Sequence, residues 1–207
     1  FDLHTVYIHD TDQLAMDTFG QRIRCLNLEH LEIRPALPAD FLGELDILCT
    51  ATSVDVGEGP VFRDTELKPH VHINAVGSDF PGKIELPSEL LHRSLVVPDF
   101  PEQALKEGEC QQLDPETIGP DIHVLVKQQE SYEHECRRCT VLDSTGWAVE
   151  DMVAMELFME YAEEFGIGSF LQMESISCDY RNPYQFLFDT DMENDIPAET
   201  EPRFRVL

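Results

Sequence analysis

The first half of the chain alternates short apolar runs with a clear helical pattern. Residues 3–9 (LHTVYIH) are rich in β-formers and apolar on both faces, which predicts an interior parallel strand that stops at Asp10. From Asp12 to Ile23 apolar side chains recur every four residues, and Asp12 can cap the first turn of the predicted helix. Strands alternating with helices predict an α/β fold with a Rossmann-like, doubly wound parallel sheet. Further short apolar runs, separated by Pro, Gly and acidic residues, lie at 31–33, 46–52, 71–76 and 95–97.

The second half contains the strongest helical pattern. The stretch 109–136 is polar, with a short apolar run at 122–126, and predicts no clear element. Residues 140–146 (TVLDSTG) then predict a strand followed by a turn. In the helix predicted for 147–165, the acidic positions leave a stripe of Met, Leu and Phe that we expect to pack as core. Gly166 can end this helix in the left-handed conformation.

Composition divides the chain into three parts. The predicted sheet domain covers residues 1–145, and the long helix with a return segment covers 146–188. Residues 189–207 form an acidic tail. Within that tail, 189–202 (DTDMENDIPAETEP) combines acids and Pro with few large apolar side chains, which predicts disorder.

The acidic composition narrows the range of partners. The chain carries 41 acidic and 14 basic residues, a formal net charge of −27 at pH 7. The mean field of such a chain repels phosphate backbones and anionic lipid surfaces, which argues against nucleic acid and membrane surfaces as partners. No apolar run approaches the roughly 18 residues that a membrane helix needs. We therefore expect neither a nucleic-acid partner nor a membrane span.

The six cysteines are scattered through the sequence, which indicates reduced intracellular thiols rather than a disulfide framework. Cys136 and Cys139 have the spacing C-x-x-C, with His134 nearby, and could form half of a metal site. No second Cys pair or His pair in the sequence completes such a site. We therefore interpret them as plain thiols and expect no metal.

Asp10 is the first candidate for binding chemistry. In dinucleotide-binding folds, an acid at the carboxyl end of the second strand accepts hydrogen bonds from the adenosine ribose, about 20 residues after a glycine-rich turn. A carboxylate there also repels the 2′-phosphate of NADP, so the pattern favours NAD. The alternative is that Asp10 is only a turn or capping residue, which is common after a strand.

Two further clusters follow predicted strands. In INAVGSDFPGKIEL (73–86) an apolar strand runs into a Pro-Gly turn between Asp79 and Lys83, and both side chains would face a ligand crevice at the carboxyl ends of the strands. The alternative is a solvated Asp–Lys pair in an ordinary turn. In TVLDSTGWAVED (140–151) a strand leads into a helix, and the first N–H groups of that helix could hold an anion. The alternative is a helix with an ordinary N-terminal cap and no bound ligand.

Four segments together, in this order and spacing, resemble the ornithine cyclodeaminase/mu-crystallin family, which includes amino-acid dehydrogenases and ketimine reductases. The resemblance covers residues 3–168 and is closest to ornithine cyclodeaminase. Mu-crystallin-like members lack the pattern D-x-P-G-K found at 79–83, so its presence favours the catalytic branch. The four segments are DILCTAT (46–52), INAVGSDFPGKIEL (73–86), KEGECQQL (106–113) and TVLDSTGWAVED (140–151).

The resemblance implies roles for individual residues. Asp10 matches the acid that binds the ribose, and Thr145 matches a substrate contact. Asp79 matches the general acid/base of ornithine-using members, in contact with substrate and nicotinamide. Matches to other cofactor contacts are Thr52, Val76, Gly77, Ser78, Lys83 and Ser144.

The activity implied is NAD-dependent conversion of L-ornithine, or a similar diamino acid, to L-proline or a cyclic imino acid and ammonia, in proline biosynthesis or amino-acid metabolism. Alternatives are an amino-acid dehydrogenase or ketimine reductase, and a non-catalytic mu-crystallin-like binding protein.

The resemblance also implies parts that these 207 residues do not contain: a first strand, a glycine-rich loop and a basic substrate domain that forms a homodimer. On this interpretation the sheet is truncated at its N-terminus, the long helix returns toward the substrate domain, and this chain alone is inactive.

Overall fold

The computed structural model describes residues 3–24, 30–64, 67–169, 181, 182 and 184. The chain divides into two compact units, residues 1–156 and 157–207. The strands are β1 (Thr5–Ile8), β2 (Glu32–Pro35), β3 (Ile47–Thr50), β4 (His72–Ala75), β5 (Leu95–Pro98) and β6 (Thr140–Asp143). The α-helices are α1 (Gln13–Arg24), α2 (Pro38–Phe41), α3 (Ser88–Arg93), α4 (Pro101–Glu107), α5 (Ile122–Lys127), α6 (Gln129–Tyr132) and α7 (Ala148–Phe165). Short 3-10 helices cover Leu42–Glu44, Glu109–Gln112, Pro115–Thr117 and Glu133–Arg137.

The described strands form parallel sheets with helices between them, as the sequence predicts, and their hydrogen bonds divide them into a two-stranded and a four-stranded sheet. Strand β1 pairs with β2, and the other four strands lie in the order β3-β4-β6-β5. Among the described strands, β1 and β3 are each hydrogen-bonded on one side only, so no ladder joins the two sheets. All pairings are parallel, which confirms the predicted α/β class.

The strand order brings loops that are distant in sequence to one edge. Strand β6 comes last along the chain but lies between β4 and β5. Its last residue, Asp143, is in register with Ala75 of β4 and Pro98 of β5, and Ala75 is in register with Thr50 of β3. The carboxyl ends of the four strands therefore meet, and the loops that follow them are neighbours.

Local signals explain the first elements. Asp12 accepts a hydrogen bond from the Leu14 N–H at 2.9 Å, which satisfies one of the free donors at the start of α1 and confirms the predicted cap. On β1, the Tyr7 ring stacks on Phe41 with 5.2 Å between ring centroids, and its hydroxyl donates to Glu44 at 2.7 Å. These contacts hold the two-stranded sheet against the segment that leads into β3.

The core lies on one face of the four-stranded sheet. Ile73 and Ala75 of β4 and Val141 of β6 are buried there, because alternate residues of a strand point to the same face. The opposite face borders a cavity of about 590 Å³ beneath α5 and α6. Packed against these strands from the loops and helices are Leu86, Leu90, Leu91, Ala104 and Cys110.

Two regions differ from the sequence expectations. The stretch 109–136, which predicted no clear element, contains α5, α6, two of the 3-10 helices and most of a third. In α7 no described residue is buried, and the stripe expected to pack as core is exposed: Met152 by 54%, Met155 by 66% and Phe158 by 72%. That expectation was wrong for the described residues, because helical periodicity shows that a face is apolar but not what covers it.

The end of α7 is as predicted, since Gly166 has a φ of +61°. The predicted disorder of 189–202 concerns residues outside the described part of the chain. None of the described helices is long and apolar enough to span a membrane.

Candidate active site

A buried carboxylate joins the loops that follow β3 and β4. Oε1 of Glu85 accepts a hydrogen bond from the Thr52 N–H at 2.6 Å, and its Oε2 accepts one from the Gly77 N–H at 2.9 Å. The Glu85 side chain is 0% exposed. A Cβ built on Gly77 would lie 2.2 Å from Oε1 of Glu85, so only glycine leaves room for the carboxylate at this position.

Two more buried carboxylates continue this arrangement. Glu109 accepts hydrogen bonds from the backbone N–H groups of Glu85, at 2.7 Å, and Leu86, at 3.3 Å. Asp143, at the end of β6, accepts from the N–H groups of Glu109, at 2.9 Å, and Cys110, at 2.8 Å. Asp143 thus holds the backbone that carries Glu109, and Glu109 holds the backbone that carries Glu85. We call Glu85, Glu109 and Asp143 the carboxylate ladder.

A fourth carboxylate holds the loop after β6. Asp99, which follows β5, lies 3.0 Å from Oγ of Ser144 and 3.3 Å from Oγ1 of Thr145. It also accepts a hydrogen bond from the Gly146 N–H at 3.1 Å. Ser144 and Thr145, both candidates from the sequence, are therefore half-buried and fixed at the same edge of the sheet.

Burial changes the proton affinity of two carboxylates of the ladder, Glu109 and Asp143. It raises the pKa of Glu109 from 4.5 to about 7, and the nearby Asp143 charge adds to the effect, while the N–H donors oppose it. Burial also raises the pKa of Asp143. No ion pair formed by the described residues includes a member of the ladder, so the backbone N–H groups are its main compensation.

Glu109 should make stability depend on pH. Because its pKa is higher in the folded chain, the folded state binds the proton more tightly, and the resulting stability is present below pH 4.5 and lost as the pH rises through about 7. The shift corresponds to about 3 kcal/mol. We expect the free energy of unfolding of the wild type, relative to Glu109→Gln, to fall by about this amount between these pH values. Urea unfolding of both proteins at several pH values measures the difference, and a constant difference would contradict the assignment.

The predicted nicotinamide-lining stretch follows β4 directly. Val76 is 45% exposed, whereas Gly77 and Ser78 are buried. Oγ of Ser78 lies 2.6 Å from the Lys83 carbonyl oxygen and 3.1 Å from that of Glu107. The contact between Ser78 and Lys83 holds the start and the end of the Pro-Gly turn together. Val76 presents an apolar side chain to solvent at the carboxyl edge of the four-stranded sheet.

Asp79 and Lys83 form an ion pair across this turn. Nζ of Lys83 donates to Oδ1 of Asp79 at 2.8 Å. The Lys83 side chain is 14% exposed and the Asp79 side chain is 61% exposed. The hydrogen bond from Lys83 holds the pKa of Asp79 below its ordinary value. Asp79 is therefore ionised near neutral pH.

Asp10 follows β1, at the carboxyl end of a strand of the two-stranded sheet. Its Oδ1 accepts a hydrogen bond from the Asp12 N–H at 2.8 Å, as a turn residue would. The side chain is exposed, so the carboxylate can also accept hydrogen bonds from ligand hydroxyls. The other sequence candidates lie at the carboxyl edge of the four-stranded sheet: Thr52, Val76, Gly77, Ser78, Asp79, Lys83, Ser144 and Thr145.

Sequence reasoning did not find Asp99 or the carboxylate ladder. The sequence contained two signals for these acids. Asp99 and Asp143 each come at the end of a short apolar run, and Glu85 and Glu109 lie inside two of the segments that carry the resemblance. In a chain with 41 acidic residues, however, an acid is normally assigned to the surface.

Two exposed side chains offer the kinds of group that bind a dinucleotide. Asp10 offers an acceptor for ribose hydroxyls, and Val76 offers an apolar wall for a flat ring. The 207 residues contain no G-x-G-x-x-G turn for the pyrophosphate. Within the described residues, no group of three or more His, Cys, Asp or Glu side chains is placed to hold a metal ion. Cys136 and Cys139 are free thiols.

A family profile matches most of the chain. The ornithine cyclodeaminase/mu-crystallin family matches residues 1–165. The L-lysine cyclodeaminase of Streptomyces rapamycinicus is 36% identical over 182 residues, which make up 88% of this chain and 52% of that relative. The chain thus spans about half the length of this curated relative.

Solved structures show the same likeness. A lysine cyclodeaminase, studied for its recognition of L-lysine, L-ornithine and L-2,4-diamino butyric acid, is 42% identical with a TM-score of 0.75. The match covers 88% of this chain and 52% of that one. An archaeal alanine dehydrogenase dimer with bound NAD is 25% identical with a TM-score of 0.63, over 84% of this chain and 54% of its own.

Proposed function

Because this chain belongs to the ornithine cyclodeaminase/mu-crystallin family, we propose that it is the nucleotide-binding part of an NAD-dependent cyclodeaminase. Its substrate class is an amino acid with a second amine on the side chain. L-Ornithine would give L-proline and ammonia, and a similar diamino acid such as L-lysine would give the corresponding cyclic imino acid and ammonia. The observation that carries the proposal is the turn after β4, where an exposed, ionised Asp79 is paired with Lys83.

The proposed roles follow the geometry of the edge. NAD, when bound, supplies a hydride acceptor that takes the hydride from the substrate Cα and returns it in the same cycle. Asp79 accepts a proton from a substrate amine, which makes that amine nucleophilic, and later gives a proton to the departing ammonia. Lys83 keeps Asp79 ionised until the substrate amine displaces it from the pair. Thr145 contacts the substrate from the loop after β6.

The remaining candidates would hold the cofactor. Val76 packs against the nicotinamide ring, and Thr52, Gly77, Ser78, Lys83 and Ser144 line its side of the crevice. Asp10 accepts hydrogen bonds from the adenosine ribose. We also propose that the protein acts in the cytoplasm as a homodimer in amino-acid metabolism, including proline formation, and that residues 1–145 act as the NAD-binding domain. The chain of 207 residues alone, without a glycine-rich phosphate loop, would be inactive.

Replacing Asp10 by Ala should weaken NAD binding and reduce the discrimination against NADP. The carboxylate accepts from the ribose and repels a 2′-phosphate, so its loss removes both effects. We expect the Kd for NAD⁺ to rise about 10-fold or more, with a smaller change for NADP⁺. Calorimetric titration of the protein expressed from its complete coding region measures both constants. Asp40→Ala, which removes an equal charge from an exposed site on α2, is the control. Unchanged affinities in Asp10→Ala would remove Asp10 from the ribose site.

A labelled substrate tests the proposed reaction. L-Ornithine and L-lysine with deuterium at Cα are incubated with the protein expressed from its complete coding region and a small, catalytic amount of NAD⁺. We expect ammonia and a cyclic amino acid that retains the deuterium, without net formation of NADH, because the hydride returns to the same carbon. Ammonia release without ring formation, or the absence of turnover, would contradict the proposal.

The second candidate is an amino-acid dehydrogenase or imine reductase on the same scaffold. The likeness to an NAD-bound archaeal alanine dehydrogenase supports it. In the labelled experiment this activity would consume NAD⁺ in proportion to substrate and place the deuterium in NADH. The cyclodeaminase is preferred because the matched lysine cyclodeaminase has the higher identity and the higher TM-score.

A further inference from the structure

Glu85 occupies an unusual place for a charged side chain. It is 0% exposed, and no ion pair among the described residues includes it. Its two oxygens accept N–H groups from two different loops, that of Thr52 after β3 and that of Gly77 after β4. Burying a carboxylate costs free energy unless it accepts hydrogen bonds, and hydrogen bonds from N–H groups to a charged acceptor are strong. The pairings therefore fix the spacing between the two loops.

The surroundings leave Glu85 little freedom. The carboxylate fills the space where a side chain at position 77 would stand, since a Cβ there would lie 2.2 Å from Oε1 and 2.8 Å from Oε2. The backbone N–H of Glu85 is held in turn by Glu109 at 2.7 Å, and Glu109 is held by Asp143 at the end of β6. The loops after β3 and β4 are thus tied through Glu85 to a central strand of the sheet.

We infer that Glu85 is a positioning residue for the cofactor crevice: its carboxylate sets the distance between the Thr52 and Gly77 backbones, and so the width of the opening that the nicotinamide end of NAD enters. The inference rests on the proposed function, because it takes this edge as the NAD site. The buried side chain touches neither substrate nor cofactor and acts through the two loops.

Two variants separate the effects of charge and reach. Glu85→Gln keeps the size of the side chain but turns one acceptor into a donor that faces an N–H group. Glu85→Asp keeps the charge but is too short to reach both loops. We expect each to raise the Kd for NAD⁺ about 10 to 100-fold at a temperature well below unfolding. The control is Asp64→Asn, which breaks an ion pair with Arg93 away from this edge and should leave the Kd unchanged while lowering the Tm.

Amide hydrogen exchange gives a readout that does not depend on the cofactor. In both Glu85 variants, exchange at Thr52 and Gly77 should become faster, while that of the core strand residues Ile73 and Val141 stays as in the wild type. All measurements use the protein expressed from its complete coding region. If Glu85→Gln does not fold, Glu85→Asp carries both measurements.

The outcomes distinguish a failure of the positioning role of Glu85 from a failure of the proposed cofactor site. Faster exchange at Thr52 and Gly77 together with weaker NAD⁺ binding supports the positioning role. The positioning role is wrong if a folded Glu85 variant binds NAD⁺ with wild-type affinity. It is also wrong if the variant loses no more NAD⁺ affinity than Asp64→Asn does at an equal loss of stability. Unchanged exchange at both amides overturns it whether or not NAD⁺ binds. A wild type that does not bind NAD⁺ refutes the proposed cofactor site itself, and with it the inference.

Discussion

Replacing Asp79 by Asn should reduce turnover by about 10²- to 10⁴-fold, the usual contribution of a positioned general acid or base. Asn has the same shape but cannot take up or release a proton. The affinity for NAD⁺ should change little. Among the described residues of this edge, the exposed side chain of Asp79 pairs only with Lys83. Rates of ammonia release at saturating substrate, with a parallel NAD⁺ titration, measure both effects.

The matched control for Asp79→Asn is Asp55→Asn, an exposed acid in the loop after β3 that should keep wild-type turnover. The two variants change the net charge equally, so a general electrostatic effect would appear in both. Full activity in Asp79→Asn would show that another group moves the proton. A turnover loss accompanied by an equal loss of NAD⁺ affinity would indicate a binding role for Asp79 instead.

Replacing Gly77 by Ala should both destabilise the chain and impair NAD⁺ binding. The new Cβ would lie 2.2 Å from Oε1 and 2.4 Å from the carboxyl carbon of Glu85, which cannot yield without releasing the Thr52 and Gly77 N–H groups. Overpacking and the loss of both hydrogen bonds, one of them from the buried Gly77 N–H, together suggest a loss of about 3 to 5 kcal/mol in the free energy of unfolding. Urea unfolding measures this loss.

A double-mutant cycle with Glu85→Ala tests the cause of the Gly77→Ala effect. If the clash with the carboxylate is responsible, Gly77→Ala should cost much less in the Glu85→Ala background than in the wild type. Equal costs in both backgrounds would show that the Cβ at position 77 is tolerated and that the loss has another origin.

The sequence was informative where local pattern decides the structure. Apolar runs and turn residues located the strands, and Asp12 located the start of α1. The division into two sheets and the position of β6 between β4 and β5 depend on contacts between distant residues, which periodicity does not contain. The exposed stripe of α7 shows the same limit, because an apolar face predicts packing without identifying a partner.

The candidate site was predictable to a similar degree. The sequence left two interpretations open for Asp79 and Lys83, side chains that face a ligand crevice or a solvated pair in a turn, and the structure shows that the two are paired. The carboxylate ladder was not predictable from composition, because the sequence does not show which acids are buried. Their surroundings do, since each of these carboxylates accepts hydrogen bonds from backbone N–H groups. The roles of the individual residues stay predictions that rest on the resemblance.

The central claim is that the loop after β4 brings Asp79 to a nicotinamide ring and a substrate amine at the carboxyl edge of the sheet. A crystal structure of the protein from its complete coding region, with NADH and a diamino acid, tests it most directly. We predict the ring against Val76, the adenosine ribose at Asp10, and a carboxylate oxygen of Asp79 about 2.6 to 3.2 Å from a substrate nitrogen. A ring bound elsewhere, with Asp79 still paired to Lys83 and facing solvent, would contradict the account.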